Sequence, residues 1–525
     1  MDRPRLLREL LQPRCYRHPV DRIEHLQTHI SDVFLTGPYA YKLKKPLELG
    51  FLDFSTLEKR RYFCEEELRL NRRLAPDLYL AVVPIAGEVD DPQVDGSGPV
   101  LDYAVQMRQF DQRGLLERAL AEGALTERHV DELARMVAQF HAGLLPASGQ
   151  SEYGTPSAIT AAAMQNFEQL TPLLDNAADR TQLEQLRQWT IGQHATLAPL
   201  FAQRGEQGFV RECHGDLHLS NMVLIDARVR IFDCIEFNPA LRWIDVMNEI
   251  AFVAMDFMQR GSPRFAYRFL DGYLQLTGDY EGVPLLRYYM IYRALVRAKV
   301  AALRAHQQDV EPATRRSLIE RCKAHVRLAA ALRSPRPPAL IIMHGLSGSG
   351  KTTVSQVLLE TLGGIRVRSD VERKRLQGLS ADTPAAGAPD TGLYTPAFSE
   401  ATYQRLGTLA SSIVAGEFSA VLDAAFLRRA QRDDMRELAR TLRVHFRIAD
   451  VQAEAEVLRR RVTQRAAAAH DASDATIEVL DHQMRTREAL TPDELALTIA
   501  FDTGHEDESA LAAKAVQFIH SAQRN

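Results

Sequence analysis

The chain has 525 residues, 46% hydrophobic and 25% charged, with a formal net charge of −4. That length predicts two to four domains, each with its own core, and the composition is that of an ordinary soluble globular protein. The near-neutral charge argues against a nucleic-acid footprint. No run of about 18 apolar residues is present, so no membrane span is expected.

The opening segment "MDRPRLLRELLQPRCY" has neither an apolar core nor a cleavage site, so it does not read as a signal peptide. Five cysteines (Cys15, Cys64, Cys213, Cys234 and Cys322) are scattered without a CxxC pair. This pattern excludes a zinc framework and suits a reducing compartment, so the expected location is cytoplasmic.

From about residue 25 to 112 the pattern predicts a small β-rich lobe. "DVFLTGPYAYKLKK" reads as two strands joined by a Gly-Pro turn. "STLEKRRYFCEEELRLNRRL" reads as a helix, with Ser55 as N-cap and Glu58 completing a capping box. "YLAVVPIAGEV" and "LDYAVQMRQF" read as further strands. Residues 113–333 are mostly helical, interrupted by the strand-like "NMVLID" and "VRIFD".

The helical region holds "HGDLHLSN", residues 214–221, followed by Asp233 after an apolar strand. Phosphoryl transfer needs a carboxylate near the acceptor hydroxyl and oxygen ligands for Mg2+. Asp216 suits the first role, and Asn221 and Asp233 suit the second. Two short strands flanking a turn would bring Asn221 and Asp233 together, while His214 and His218 orient the loop.

The arrangement resembles the aminoglycoside phosphotransferase family, a branch of the protein-kinase-like fold, over about residues 25–330. The resemblance implies ATP binding, Asp216 as catalytic base, and Asn221 and Asp233 as metal ligands. It also implies a phosphate-pairing lysine in "AYKLKKP". Lys42 is preferred, with Lys44 as the alternative on the same strand face. The lysine's partner should be Glu66 or Glu67. Glu67 lies on the stripe of Phe63, Leu70 and Leu74 and faces inward more readily. "VQMRQF", residues 105–110, would be the adenine hinge. The first-strand loop departs from the family in having only Gly37 instead of a Gly-rich stretch.

Three prolines in "LRSPRPPAL" mark a linker at 334–340, dividing a domain of 1–333 from one of 341–525. After it, "ALIIMH", "GIRVRSD", "SAVLDAAF", "RVHFRIAD" and "ALTIAFD" alternate with helical stretches, which predicts a doubly wound, mainly parallel α/β sheet. Segment 376–394, rich in Ala, Gly, Pro and Asp, is expected to be a loop near the site.

"GLSGSGKTT" is a complete Walker A pattern between a strand and a helix. Its expected nucleotide contacts are Gly345, Ser347, Gly348, Ser349, Gly350, Lys351, Thr352 and Thr353. The glycines let backbone N–H groups curl around phosphate, Lys351 reaches the β- and γ-phosphates, and Thr352 holds Mg2+. Asp370 and Asp423 end the second and third strands, where a doubly wound sheet binds ligands. One can help hold Mg2+ and the other can accept a proton. Arg461 and Arg465 share a helix face and can close over the phosphates.

This half resembles the small P-loop kinases of the gluconate kinase, zeta toxin and polynucleotide kinase group. The resemblance implies that Asp370 contacts the acceptor hydroxyl and leaves the metal to Asp423. Arg432 matches an arginine of the polynucleotide kinase branch, but Ala424 and Phe426 stand where that branch has Asn. The whole chain resembles bacterial fusions of an aminoglycoside-phosphotransferase-like domain with an AAA-labelled P-loop domain. The expectation is a bifunctional ATP- and Mg2+-dependent kinase acting on small hydroxylated molecules.

Overall fold

A computed structural model describes residues 2–48, 50, 52–149, 151–174, 176–307, 310–380, 383, 395–468 and 476–522. The expected loop 376–394 falls mostly outside these residues. The chain forms two compact units, Met1–Ile159 with Leu200–Val253, and Thr160–Pro199 with Ala254–Asn525. This division differs from a cut at the proline linker, because it groups the last helices before the linker with the sheet after it.

In the first unit, α1 (Arg3–Glu9) precedes strands β1 (Glu24–Gln27), β2 (Ser31–Leu35) and β3 (Tyr39–Lys44). Helix α2 (Leu57–Asn71) follows, then β4 (Tyr79–Glu88), β5 (Asp91–Val94) and β6 (Val100–Arg108). These strands make one antiparallel sheet of order β1-β2-β3-β6-β4-β5. Helix α2 packs against β4 and β6, and Cys64, Tyr79, Val105 and Met107 share its core. The α2 N-cap is Thr56, whose hydroxyl accepts from Lys59 N at 3.2 Å. The expected cap, Ser55, instead gives both its N–H and its hydroxyl to Asp53, so the helix starts one residue later.

Helices α3 (Leu116–Ala121), α4 (Glu127–Gly143), α5 (Pro156–Leu170) and α6 (Ala177–Glu206) come next. Then follow β7 (Val210–Glu212), β8 (Met222–Ile225), β9 (Arg228–Ile231), β10 (Trp243–Asp245) and α7 (Val246–Gln259). Strands β8 and β9 form an antiparallel hairpin, and β7 pairs with β10.

The second unit holds α8 (Pro263–Thr277), α9 (Leu286–Ala305) and α10 (Pro312–Arg333), then β11 (Ala339–His344) and α11 (Lys351–Leu362). It continues with β12 (Gly364–Arg368), α12 (Ser369–Leu376), α13 (Pro396–Ala415), β13 (Ser419–Asp423), α14 (Arg429–Leu442) and β14 (His445–Gln452). It closes with α15 (Ala455–Ala468), α16 (Ile477–Thr486), α17 (Pro492–Leu495), β15 (Thr498–Asp502) and α18 (Glu508–Ala522).

All five of these strands are parallel, in the order β12-β13-β11-β14-β15. Because β13 lies between β12 and β11, the chain changes direction across the sheet beside β11, and the carboxyl ends open into a crevice there. Ile341 and Met343 of β11 are fully buried in the core with Val354 and Leu358 of α11, which fixes the loop between strand and helix. Among the described residues no helix is long and apolar enough to cross a membrane.

Candidate active sites

The hairpin of β8 and β9 builds the first site. Met222 pairs with Ile231, and Phe232 N donates to Asn221 O at 3.0 Å, which sets Asn221 beside Asp233. Asp233 has φ +65, a left-handed backbone rare outside glycine, and its side chain stays 42% exposed. The Asn221 amide donates to Asp216 O at 3.0 Å and to its carboxylate at 2.9 Å. His218 Nε2 lies 3.2 Å from the same carboxylate. His214 Nε2 donates to Phe232 O at 2.9 Å, tying the loop that carries Asp216 to the strand end that carries Asp233. Burial lowers the His214 pKa despite the nearby Glu249 and Asp216, so this ring stays neutral and keeps its donor and acceptor fixed.

Gly215 cannot be replaced without strain. Its φ is +87, and a Cβ would stand 2.7 Å from Leu241 O.

Lys42 of β3 donates to Glu67 of α2 at 2.8 Å and also contacts Asp233. Glu67 is fully buried, whereas Glu66 pairs outward with Arg69 at 2.9 Å. Lys44, also fully buried, bridges Glu67 and Glu236. Burial would lower the Lys42 pKa, but the carboxylates of Asp233 and Glu67 outweigh it and raise it. Burial would raise the Glu67 pKa, but the two ammonium groups hold it below the usual carboxylate range. At the expected hinge, Gln109 N donates to Pro38 O at 3.1 Å, closing the end of β6 against the Gly-Pro turn.

Two residues of this site escaped the sequence reading. Glu249 of α7 accepts the backbone N–H groups of His214 and Gly215, the latter at 3.0 Å, and so clamps the loop that carries Asp216. Its signal was a lone carboxylate within the apolar run "VMNEIAFVAM", since a buried charge is rare without a partner. Glu236 carried the same kind of signal in "FDCIEF".

The second site lies at the carboxyl ends of the parallel strands. Gly345 has φ +148, and a Cβ there would meet Val451 O at 2.4 Å. The loop it opens encloses one side of a cavity of about 230 Å³ lined by Ser347, Gly348, Gly350, Lys351 and Thr352. Asp370 and Asp423 line the same cavity, as do Arg368, Arg373, Arg428 and His482. Lys351 Nζ donates to Gly345 O at 3.0 Å and Leu346 O at 2.9 Å. Asp370 sits in the first turn of α12, 3.3 Å from Arg373, and Asp423 accepts from Ser355 at 3.2 Å. Gln483 accepts from Ser347 N at 2.8 Å, a contact without a sequence signal.

Gly345, Ser349 and Thr353 do not line the cavity; Ser349 is buried and Thr353 faces solvent. Arg461 does not line it either. Its guanidinium donates to Thr503 Oγ1 and O at 2.8 Å each, and Thr503 Oγ1 donates to Ser349 O at 2.6 Å, so Arg461 braces the loop from behind. The side chain of Arg465 lies outside the described residues. Arg432 is fully buried and forks onto Glu494 at 2.6 and 3.1 Å, a brace that does not itself line the cavity.

The oxygen donors Asn221 and Asp233 at the first site, and Thr352 and Asp423 at the second, form the hard donor set that Mg2+ takes. The glycine loop with Lys351, and the Lys42–Glu67 pair, suit nucleotide phosphates.

Residues 59–286 match the model of the phosphotransferase enzyme family, and residues 340–490 match that of an AAA domain. The chain therefore carries a phosphotransferase-family domain with a protein-kinase-like fold followed by an AAA-type P-loop domain, and the two support ATP-dependent phosphotransfer in general. An uncharacterized protein of Mycobacterium tuberculosis is 28% identical over 501 residues, covering 94% of this chain and 95% of that protein; one from Mycobacterium bovis matches equally. Among solved structures, amicoumacin kinase hAmiN in complex with AMP-PNP, Ca2+ and Ami is 11% identical with a TM-score of 0.38, covering 62% of this chain and 94% of that one. A gluconokinase from Sinorhizobium meliloti 1021 is 21% identical with a TM-score of 0.26, covering 36% and 96%.

Proposed function

We propose that the chain is a bifunctional kinase in which each domain moves the γ-phosphate of ATP to a hydroxyl group of a small molecule. The observation that carries this reading is the presence, at each site, of a carboxylate for the acceptor beside a cation and oxygen donors for the nucleotide. At the first site Asp216 takes the acceptor proton, while Asn221 holds that carboxylate in place through its amide. Lys42, oriented by Glu67, pairs with the α- and β-phosphates, and Asn221 and Asp233 would hold Mg2+. At the second site Asp370 takes the acceptor proton, the Walker loop and Lys351 cradle the phosphates, and Thr352 with Asp423 would hold Mg2+. The metal supplies charge neutralisation on the transferring phosphoryl group.

The second cavity also bears on its acceptor. Among the described residues, Arg368, Arg373 and Arg428 line it together with Asp370 and Asp423, once Lys351 is assigned to the nucleotide. Guanidinium groups favour a carboxylate or phosphate on the acceptor.

The test is Mg2+-dependent ATP consumption screened over sugars, sugar acids, nucleosides and aminoglycosides, with wild type beside Asp216→Asn and Lys351→Ala. The proposal expects each substitution to abolish turnover of a different acceptor, and the Lys351-dependent acceptor to be anionic. If one substitution removes turnover of every acceptor, the other domain is a regulator.

A further inference from the structure

Helix α8, from before the linker, reaches the metal end of the P-loop site through a continuous chain of buried polar contacts. The chain starts at Asp271, which is 3% exposed and accepts a fork from Arg366 of β12, at 2.7 Å from Nη2 and 3.3 Å from Nε. Arg366, 4% exposed, turns its remaining nitrogen toward the Walker helix. Nη1 donates to Thr352 O at 3.1 Å and to Ser355 Oγ at 3.0 Å. The Ser355 hydroxyl, having received that hydrogen bond, has its one proton within reach of Asp423 at 3.2 Å and of Thr352 O at 3.1 Å, so it meets both members of the proposed metal-binding pair. Tyr280 secures the same strand from the segment after α8, its hydroxyl donating to Arg366 O at 3.1 Å.

A planar guanidinium can satisfy a carboxylate and a carbonyl at once only in one orientation, so fixing Asp271 fixes the nitrogen that meets Thr352 and Ser355. Through Ser355 the same orientation sets one Asp423 oxygen and leaves the other for a ligand.

We infer that Arg366, oriented by Asp271 of α8, is a positioning residue for the metal-binding pair Thr352 and Asp423, so the P-loop kinase is completed by a helix that precedes the linker. This inference rests on the proposed P-loop site. The family pattern ends at the strand and loop, and Asp271 lies 95 residues before its partner, so the pairing has no local sequence signature.

The experiment uses the full chain with Asp216→Asn, so that the remaining ATP turnover belongs to the P-loop site, and reads the Mg2+ midpoint twice, as half-maximal turnover and as half-saturation by calorimetry with Asp233→Asn added to remove the first metal site. Ser355→Ala and Asp271→Asn are expected to raise it about tenfold and about fivefold, the range in which ligand-orienting partners act. Arg366→Lys, which keeps the charge opposite Asp271 but loses the fork, should do the same. Glu417→Gln is the control. It removes a 3.1 Å ion pair to Arg287 of α9, just before β13 and at the far end of that strand from Asp423, and it should lower the melting temperature without moving the Mg2+ midpoint.

The inference is overturned if Ser355→Ala and Asp271→Asn leave that midpoint in place while Lys351→Ala removes turnover, or if Glu417→Gln shifts it equally. If Lys351→Ala leaves turnover intact, the P-loop reading itself fails and this inference falls with it. Ser355→Ala deletes a single hydroxyl and keeps the test decisive if the Asp271 or Arg366 variants do not fold.

Discussion

At the first site Lys42 and Lys44 are enclosed by carboxylates brought from three separate places, Glu67 on α2, Asp233 after β9 and Glu236 beyond it. At the second, Lys351 folds onto two carbonyls of the very loop it follows. One site is thus assembled by buried side-chain charge, the other by local backbone. The difference teaches where each is fragile: the first depends on keeping every charge matched, the second on keeping side chains out of the backbone's way.

The sharpest break in this comparison is Glu67→Ala. It leaves two buried ammonium groups with less compensation, and removing one partner from such a network costs about 3–5 kcal/mol. A urea melt should show that loss. Lys351→Ala, which removes hydrogen bonds to the carbonyls of Gly345 and Leu346, should change stability by less than about 1 kcal/mol while removing ATP-dependent turnover. Similar losses for both would mean that the two lysines are held alike.

Gly345→Ala tests the backbone side. The added Cβ would stand 2.4 Å from Val451 O at a φ of +148. A conformation so unfavourable to an L side chain costs about 1–3 kcal/mol and should disturb the phosphate cradle with it. Retention of full nucleotide affinity would show that the loop yields more easily than its contacts imply.

The same contrast explains what could be read from the sequence. The Walker loop is contiguous, and the five parallel strands follow from alternating apolar runs, so that site and its sheet were legible in outline. The "HGD" segment and Asp233 were legible because twelve residues of hairpin bring them together. Lys42 and Lys44 could not be separated by face parity, since the structure buries both on Glu67. Glu236 and Glu249 stayed hidden because their partners are a lysine about 190 residues away and backbone N–H groups, neither of which leaves a spacing. Arg461 read as a phosphate cation and Arg432 as the match to an arginine of the polynucleotide kinase branch. Only packing reveals that one braces the loop through Thr503 and the other is held by Glu494.

A smaller effect should appear in the pH dependence of the second unit. His325 of α10 is buried with its ring on Arg321 O, and burial pushes its pKa down to about 4. The unfolded chain takes up this proton near pH 6.5 and the folded chain only near pH 4, so protonation favours unfolding between those values. From pH 7.5 to pH 5 the group should cost about 2 kcal/mol of stability. His325→Gln should flatten that part of the curve. An unchanged slope would assign the acid sensitivity to other groups.

The smallest expected change separates two adjacent residues at the start of α2. Thr56 caps the helix through Lys59 N, whereas Ser55 spends its hydrogen bonds on Asp53. Thr56→Ala should therefore cost about 1 kcal/mol and Ser55→Ala only a few tenths, because only the first leaves a helix N–H without its acceptor. Since α2 carries Glu67, fraying at Thr56 should also weaken the hold on Lys42, read as a lower ATP affinity at the first site and none at the second. If Ser55→Ala proves the costlier change, the helix starts where the local sequence pattern placed it, and Asp53 does not set its first turn.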